Sequence, residues 1–152
     1  MSANSSPLDT LIELARGSRD QAGQALAQEN RNEQQVAGQL ESLRQYRLEY
    51  AQQLQQAMRE GIDPATMRNY QQFLDSLDTA LDRARQALET QQQRVGQRRA
   101  QWQQEQRKLS SYDTLASRRQ EQQQRREARQ ELHLSDELVN GRLARARQAA
   151  DR

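Results

Sequence analysis

Side chains able to do covalent or metal chemistry are sparse in this chain. His133 is its one histidine, and there is no cysteine. A bound metal ion needs several donors brought close together. Nothing in the sequence stands ready to join His133, which is expected at the surface. The aspartates and glutamates are many, but they suit charge pairing on helix surfaces. The glycines match neither a phosphate-cradling loop nor a dinucleotide-binding turn. No catalytic residue, cofactor site or metal site is assigned, and enzymatic activity is not expected.

The remaining chemistry is recognition. Residues 118–131, RRQEQQQRREARQE, hold Arg118, Arg119, Arg125, Arg126 and Arg129, which can contact phosphates. Glu121, Glu127 and Glu131 interrupt them, and no aromatic is present to stack on a base. A solvated helix face is the plainer reading, with an Arg-rich nucleic-acid-associated coiled coil as the rival.

These residues must be positioned by helices. Leu8, Ile12, Ala15, Arg19, Ala22, Leu26, Glu29, Glu33, Val36, Leu40, Leu43, Arg47, Tyr50, Leu54 and Ala57 alternate spacings of four and three. So do Met67, Tyr70, Leu74, Leu77, Leu81, Ala84, Leu88, Gln91, Val95, Arg98, Trp102, Glu105, Leu109, Tyr112 and Ala116. A 3.5-residue repeat keeps one seam facing a partner helix along its length. The fold class expected is all-α: a long two-helix antiparallel coiled-coil hairpin with a C-terminal helical overhang. The helices are expected over about 7–60 and 65–131, with a turn at about 61–64 and a tail over 132–152. The whole chain, 1–152, is read as one coiled-coil domain.

Punctuation supports this division. Ser6 can cap the first helix, Pro7 suits its first position, and Asp9 favours its positive end. Gly61 suits a left-handed C-terminal cap. Asp63 and Pro64 repeat the starting signals. Folding back about this turn makes facing positions add to roughly 127 if seam layers meet in register. Leu26 is then expected near Trp102, Glu29 near Arg98 and Arg19 near Glu105. Gly17, Gly23, Gly38 and Gly96 weaken the helices, so the half away from the turn is expected to be looser. Beyond about Ala116 the second helix has no partner. Leu132, Val139, Leu143, Ala146 and Ala150 form a further stripe there, and Ser135-Asp136-Glu137 is expected to restart a helix after a break.

The two flanks of the seam differ. One carries Gln39, Tyr46, Phe73, Ala80 and Ala87; the other carries Arg44, Ala51, Gln71, Asp78 and Arg85. With Leu43, Tyr50, Leu77 and Ala84, the apolar flank makes a candidate docking strip, since apolar strips rimmed by charge mark protein partners. The plainer alternative is that Tyr46 and Phe73 merely cover a wide seam.

Composition fits a seam better than a globular core. Only 34% of the 152 residues are hydrophobic and 4% aromatic, with mean hydropathy −1.22. A net charge of +2, from 23 basic and 21 acidic residues, is too balanced to imply nucleic acid by itself. The first residues lack the charged and apolar regions of a signal peptide. No apolar run approaches a membrane span. A soluble cytoplasmic protein is expected.

The segments Gln39-Leu40-Glu41-Ser42-Leu43-Arg44-Gln45-Tyr46-Arg47-Leu48-Glu49-Tyr50 and Tyr70-Gln71-Gln72-Phe73-Leu74-Asp75-Ser76-Leu77 carry a family resemblance. Trp102 in a basic setting and Glu131 with Asp136-Glu137 add to it. Over nearly its whole length the chain resembles the FliJ family of flagellar type III export proteins. That resemblance implies a cytoplasmic two-helix coiled coil similar to the central stalk of rotary ATPases. It implies insertion into the hexameric export ATPase FliI, contact with the cytoplasmic part of the export gate protein FlhA, and escort of export chaperones. It places the gate-binding strip on Gln39, Leu43, Tyr46, Tyr50, Phe73, Leu77 and Ala80, with Ala84 where some members have histidine. The ATPase contact is then expected on Arg118, Arg119, Arg125, Arg126 and Arg129. No nucleic acid, no cofactor and no membrane insertion are implied; the site of action is peripheral to the inner membrane.

Overall fold

In the computed structural model, which describes residues 6–151, the chain forms two long helices. Helix α1 spans Pro7–Glu60 and helix α2 spans Pro64–Ala150. No strand occurs among the described residues. The chain is all-α, and its two helices pack against each other antiparallel, as the paired heptads require.

Local chemistry fixes the helix ends. The Asp9 amide donates to Ser6 Oγ at 3.3 Å, and the Ser6 amide donates to the Asp9 carboxylate at 3.2 Å. These reciprocal bonds satisfy amides that the first helical turn leaves without partners. Helix α1 stops at Gly61, whose φ of 90° is a left-handed conformation that a side chain would strain. The three-residue connection Gly61-Ile62-Asp63 forces antiparallel return. Helix α2 starts as the Met67 amide donates to the Asp63 carbonyl at 3.1 Å, while the Thr66 hydroxyl donates to the Asp63 carboxylate.

The chain divides into two compact units: Gly17–Gln106, and the residues up to Arg16 together with those from Arg107 onwards. In the first, Ala22, Leu40, Leu77, Leu81 and Val95 are buried. Every other seam position named above in this unit is half-buried or buried, except Arg98, which is exposed. In the second, Ile12, Ala15 and Leu109 form a small buried core, with Leu8, Tyr112 and Ala116 packed against it. Period 3.5 thus predicts burial almost residue by residue.

The register differs from the expectation in detail. Facing pairs centre close to Ile62, the middle of the connection, rather than beyond it. Asp78 pairs with Arg47, and the Trp102 ring lies against Gly23. A Cβ on Gly23 would sit 3.3 Å from Trp102 Nε1, so glycine here admits the ring. Arg98 is drawn out of the seam and donates to Gln101 at 3.4 Å instead of pairing with Glu29. Gln91 takes that place: only 7% exposed, its amide donates to the Glu29 carbonyl at 3.1 Å and to the Glu29 carboxylate. Arg19 turns its guanidinium to Asp20 at 3.0 Å rather than to Glu105, keeping its charge at the surface.

Helix α2 also runs through Ser135-Asp136-Glu137 without a break. The few tenths of a kcal/mol by which serine and aspartate disfavour a helix interior are about all that opposes continuation. From Ser117 onward every described residue of α2 is exposed. No described helix is long and apolar enough to cross a membrane.

Candidate functional site

In the unit Gly17–Gln106, the seam brings four aromatic rings together near the connection. Tyr50 and Tyr70 occupy seam positions on opposite helices, 5.1 Å apart between centroids. Phe73 lies one turn along α2, with its ring 4.5 Å from Tyr50 and 6.1 Å from Tyr46. Tyr46 stands 6.4 Å from Tyr50 and meets Phe73 edge-on at 86°. Such pairs add about 0.5–1.5 kcal/mol beyond the area they bury. Tyr50 is the hub, touching all three other rings.

The outer rings remain accessible. Phe73 is 37% exposed and Tyr46 48%. Gln39 is exposed, while Leu43, Tyr50, Ala80 and Ala84 are half-buried. Leu77 is buried and props the strip from within rather than presenting area. So the structure joins Tyr46, Tyr50 and Phe73 by direct ring contact, and carries Leu43, Ala80 and Ala84 along the same flank at heptad spacing.

The opposite flank is held by charge. Arg47 crosses from its seam position to Asp78, donating to both carboxylate oxygens; the second contact is 3.2 Å. These hydrogen bonds, reinforced by the opposite charge, hold the Asp78 carboxyl below the usual carboxylate range. They also raise the Arg47 guanidinium above its ordinary value. Arg85 pairs with Asp82 at 3.1 Å and Arg44 with Glu41 at 3.8 Å. A partner approaching this flank would have to displace carboxylate–guanidinium pairs. One approaching the aromatic flank would displace only water.

Two members of this arrangement escape sequence reasoning. Tyr70 reads as a seam residue, yet its ring joins the cluster. The Arg47–Asp78 pair reads as separate seam and flank residues. Only the reach of an arginine side chain at the found register links them.

The arginines at 118, 119, 125, 126 and 129 belong to the other unit and are not part of the aromatic strip. All are exposed on α2. Their surroundings are local: Gln123 donates to Glu127 at 3.3 Å, and Arg118 and Arg119 border a shallow depression beside Leu8 and Leu115. His133 lies at the surface, 3.2 Å from Glu137 one turn on. Among the described residues no cluster of histidine, aspartate or glutamate could hold a metal ion. The arrangement is an apolar strip, partly exposed, packed over the buried seam.

Comparison with known proteins identifies the family. A sequence profile of the family described as "Flagellar FliJ protein" matches residues 4–148. A Flagellar FliJ protein of Salmonella typhi is 33% identical over 111 residues, covering 73% of this chain and 76% of its own length. A Flagellar FliJ protein of Escherichia coli strain K12 is likewise 33% identical over 111 residues, with the same coverage of both chains.

Proposed function

The chain belongs to the flagellar FliJ protein family, and from that premise we propose that it is a non-enzymatic stalk coupling the export ATPase to the export gate. Membership supports a place in the flagellar export apparatus. The finer assignment is that α2 beyond the paired region, with Arg118, Arg119, Arg125, Arg126 and Arg129, engages the FliI hexamer. The aromatic strip of Gln39, Leu43, Tyr46, Tyr50, Phe73, Leu77, Ala80 and Ala84 engages the cytoplasmic domain of FlhA. Hydrolysis belongs to the partner, and the chain works in the cytoplasm, peripheral to the inner membrane. Export chaperones are further partners in this reading.

One observation carries the reading. Phe73 and Tyr46 stay exposed although both sit on rings that are already packed. Apolar anchors held at a fixed geometry lose little entropy on docking. Truncating an anchor that fills a partner's pocket costs at least about 2 kcal/mol of binding. Phe73→Ala should therefore weaken binding to the FlhA cytoplasmic domain more than tenfold by titration calorimetry, with helicity and melting little changed. Tyr46→Ala should behave alike, and Arg85→Ala on the charged flank should bind normally. Turnover by the ATPase hexamer should rise on adding the parent chain and on adding Phe73→Ala. No stimulation by either, with chaperone binding intact, would replace the stalk by a chaperone escort.

A further inference from the structure

The unit formed by residues up to Arg16 and from Arg107 onwards carries a second apolar face, separate from the aromatic strip, whose leucines have no role above. Leu11, Leu14 and Leu115 are 43%, 63% and 49% exposed. Leu11 and Leu115 precede the seam residues Ile12 and Ala116, so both lie on the same flank of the antiparallel pair. Beside them is an open depression of about 360 Å³, lined by Leu8, Leu115, Arg118, Arg119 and Gln122.

Charge is divided sharply across this unit. The leucine flank carries Lys108 and Arg118 and, in the paired region, no carboxylate. Asp9, Glu13 and Asp113 all follow seam positions by one and so lie on the opposite side of the seam. The face is therefore apolar and cationic, concave, and bounded by two helices. That is the surface onto which a third helix packs, laying its apolar stripe between two others.

We propose that this face binds an amphipathic helix of a partner protein that carries carboxylates beside its apolar stripe. The leucines bury that stripe, and Lys108, Arg118 and Arg119 meet its carboxylates. A second copy of this chain fits less well. Beside its free stripe of Leu132, Val139 and Leu143 stand Arg129, Arg142 and Arg147 with one adjacent carboxylate, Asp136, so cation would largely meet cation. The inference does not rest on the gate and ATPase reading, although Arg118 and Arg119 serve in both.

The test uses the full chain and a labelled synthetic helix with leucines at helical spacing flanked by glutamates, read by fluorescence anisotropy. A matched peptide with lysines replacing the glutamates is the comparison. The glutamate peptide should bind, and the lysine peptide should bind at least tenfold more weakly. Leu115→Glu, a surface change to a good helix former, should weaken glutamate-peptide binding more than tenfold at unchanged helicity. Arg118→Glu should narrow or invert the preference between the peptides. Three results would each overturn the proposal. The first is equal binding of the two peptides, or of parent and Leu115→Glu. The second is Leu115-dependent binding to phosphatidylserine vesicles without peptide binding, which marks a membrane surface. The third is self-association abolished by Leu115→Glu, which marks a second copy.

Discussion

Helix α2 exposes apolar side chains both near the connection and towards its far end, and these two places differ in what stands behind them. Near the connection, Phe73 rests on Tyr50 and Tyr46, over a seam that buries Leu77 and Leu81. Far along the same helix, Leu132, Leu138, Val139 and Leu143 are all more than half exposed, and every neighbouring residue is exposed too. There only contacts such as His133–Glu137 and Gln123–Glu127 support the backbone. Pairs of that kind add a few tenths of a kcal/mol each. A helix without tertiary packing lacks the main source of helix stability in proteins. The strip thus rests on packed seam residues, whereas the distal stripe has no tertiary packing behind it. Placement against the seam, rather than hydrophobicity, separates the two.

The comparison predicts its largest effect in the seam itself. Leu40 and Leu81 are each 4% exposed. Leu40→Ala or Leu81→Ala should cost about 2–3 kcal/mol, the low end of the range for core truncations, because a two-helix seam can partly close over the gap. Leu143→Ala in the distal stripe should change stability by no more than about 0.5 kcal/mol. Urea melts followed by circular dichroism at 222 nm measure all three. If Leu143→Ala proved as costly as Leu40→Ala, the distal stripe would already be covered in the free protein.

Much of this division is legible in the sequence. Apolar residues at 3.5-residue spacing specify which positions are buried, and the Gly61 to Pro64 punctuation specifies where the chain turns. The register is less legible. A heptad repeat fixes which face meets the partner but not which layer meets which. The centre of the connection decides that, and it shifts pairs towards Ile62. Polar seam positions are least legible of all. Glu29, Gln91 and Arg98 look equivalent as heptad members, yet only two of them meet. Nothing in spacing distinguishes a short amide that can bond inside the seam from a long guanidinium that leaves it. For the candidate strip, Tyr46 and Phe73 are recognisable because large aromatic residues stand beside the seam rather than in it. Tyr70 and the Arg47–Asp78 pair depend on the register, so periodicity alone does not yield them.

A smaller effect tests the expectation that glycines loosen the half of the hairpin away from the connection. A Cβ at Gly38 would meet open space, whereas one at Gly23 would press on Trp102 Nε1 at 3.3 Å and Cδ1 at 3.4 Å. Gly38→Ala should stabilise by up to about 1 kcal/mol, the helix-propensity difference between glycine and alanine. Gly23→Ala gains the same propensity but must shift the indole by a few tenths of an ångström, so its net benefit should be clearly smaller. Trp102 fluorescence should change with Gly23→Ala and stay constant with Gly38→Ala. Equal stabilisation with no spectral change would mean that the indole does not rest on Gly23.

The smallest effect concerns pH and the charged flank. Asp78 is held below its ordinary range mainly by hydrogen bonds from Arg47. A carboxyl depressed on folding stabilises the folded state above its unfolded pKa of about 3.9, and that stabilisation fades as pH falls through the folded value. The Arg47 shift is upward from a value already far above neutrality, so it adds nothing to the acid limb. The carboxylate side chain is 49% exposed and its partner 37%, so water and salt screen the pair strongly. Asp78→Asn should therefore lower the melting midpoint slightly at pH 7, and its difference from the parent should shrink as pH falls below the unfolded value. The difference between the two melting curves isolates Asp78 from the other carboxylates, which titrate alike in both proteins. Adding 1 M salt at pH 7 should shrink that difference. A constant difference from pH 7 to pH 2 would instead show that asparagine disturbs packing, and that the ion pair contributes nothing of its own.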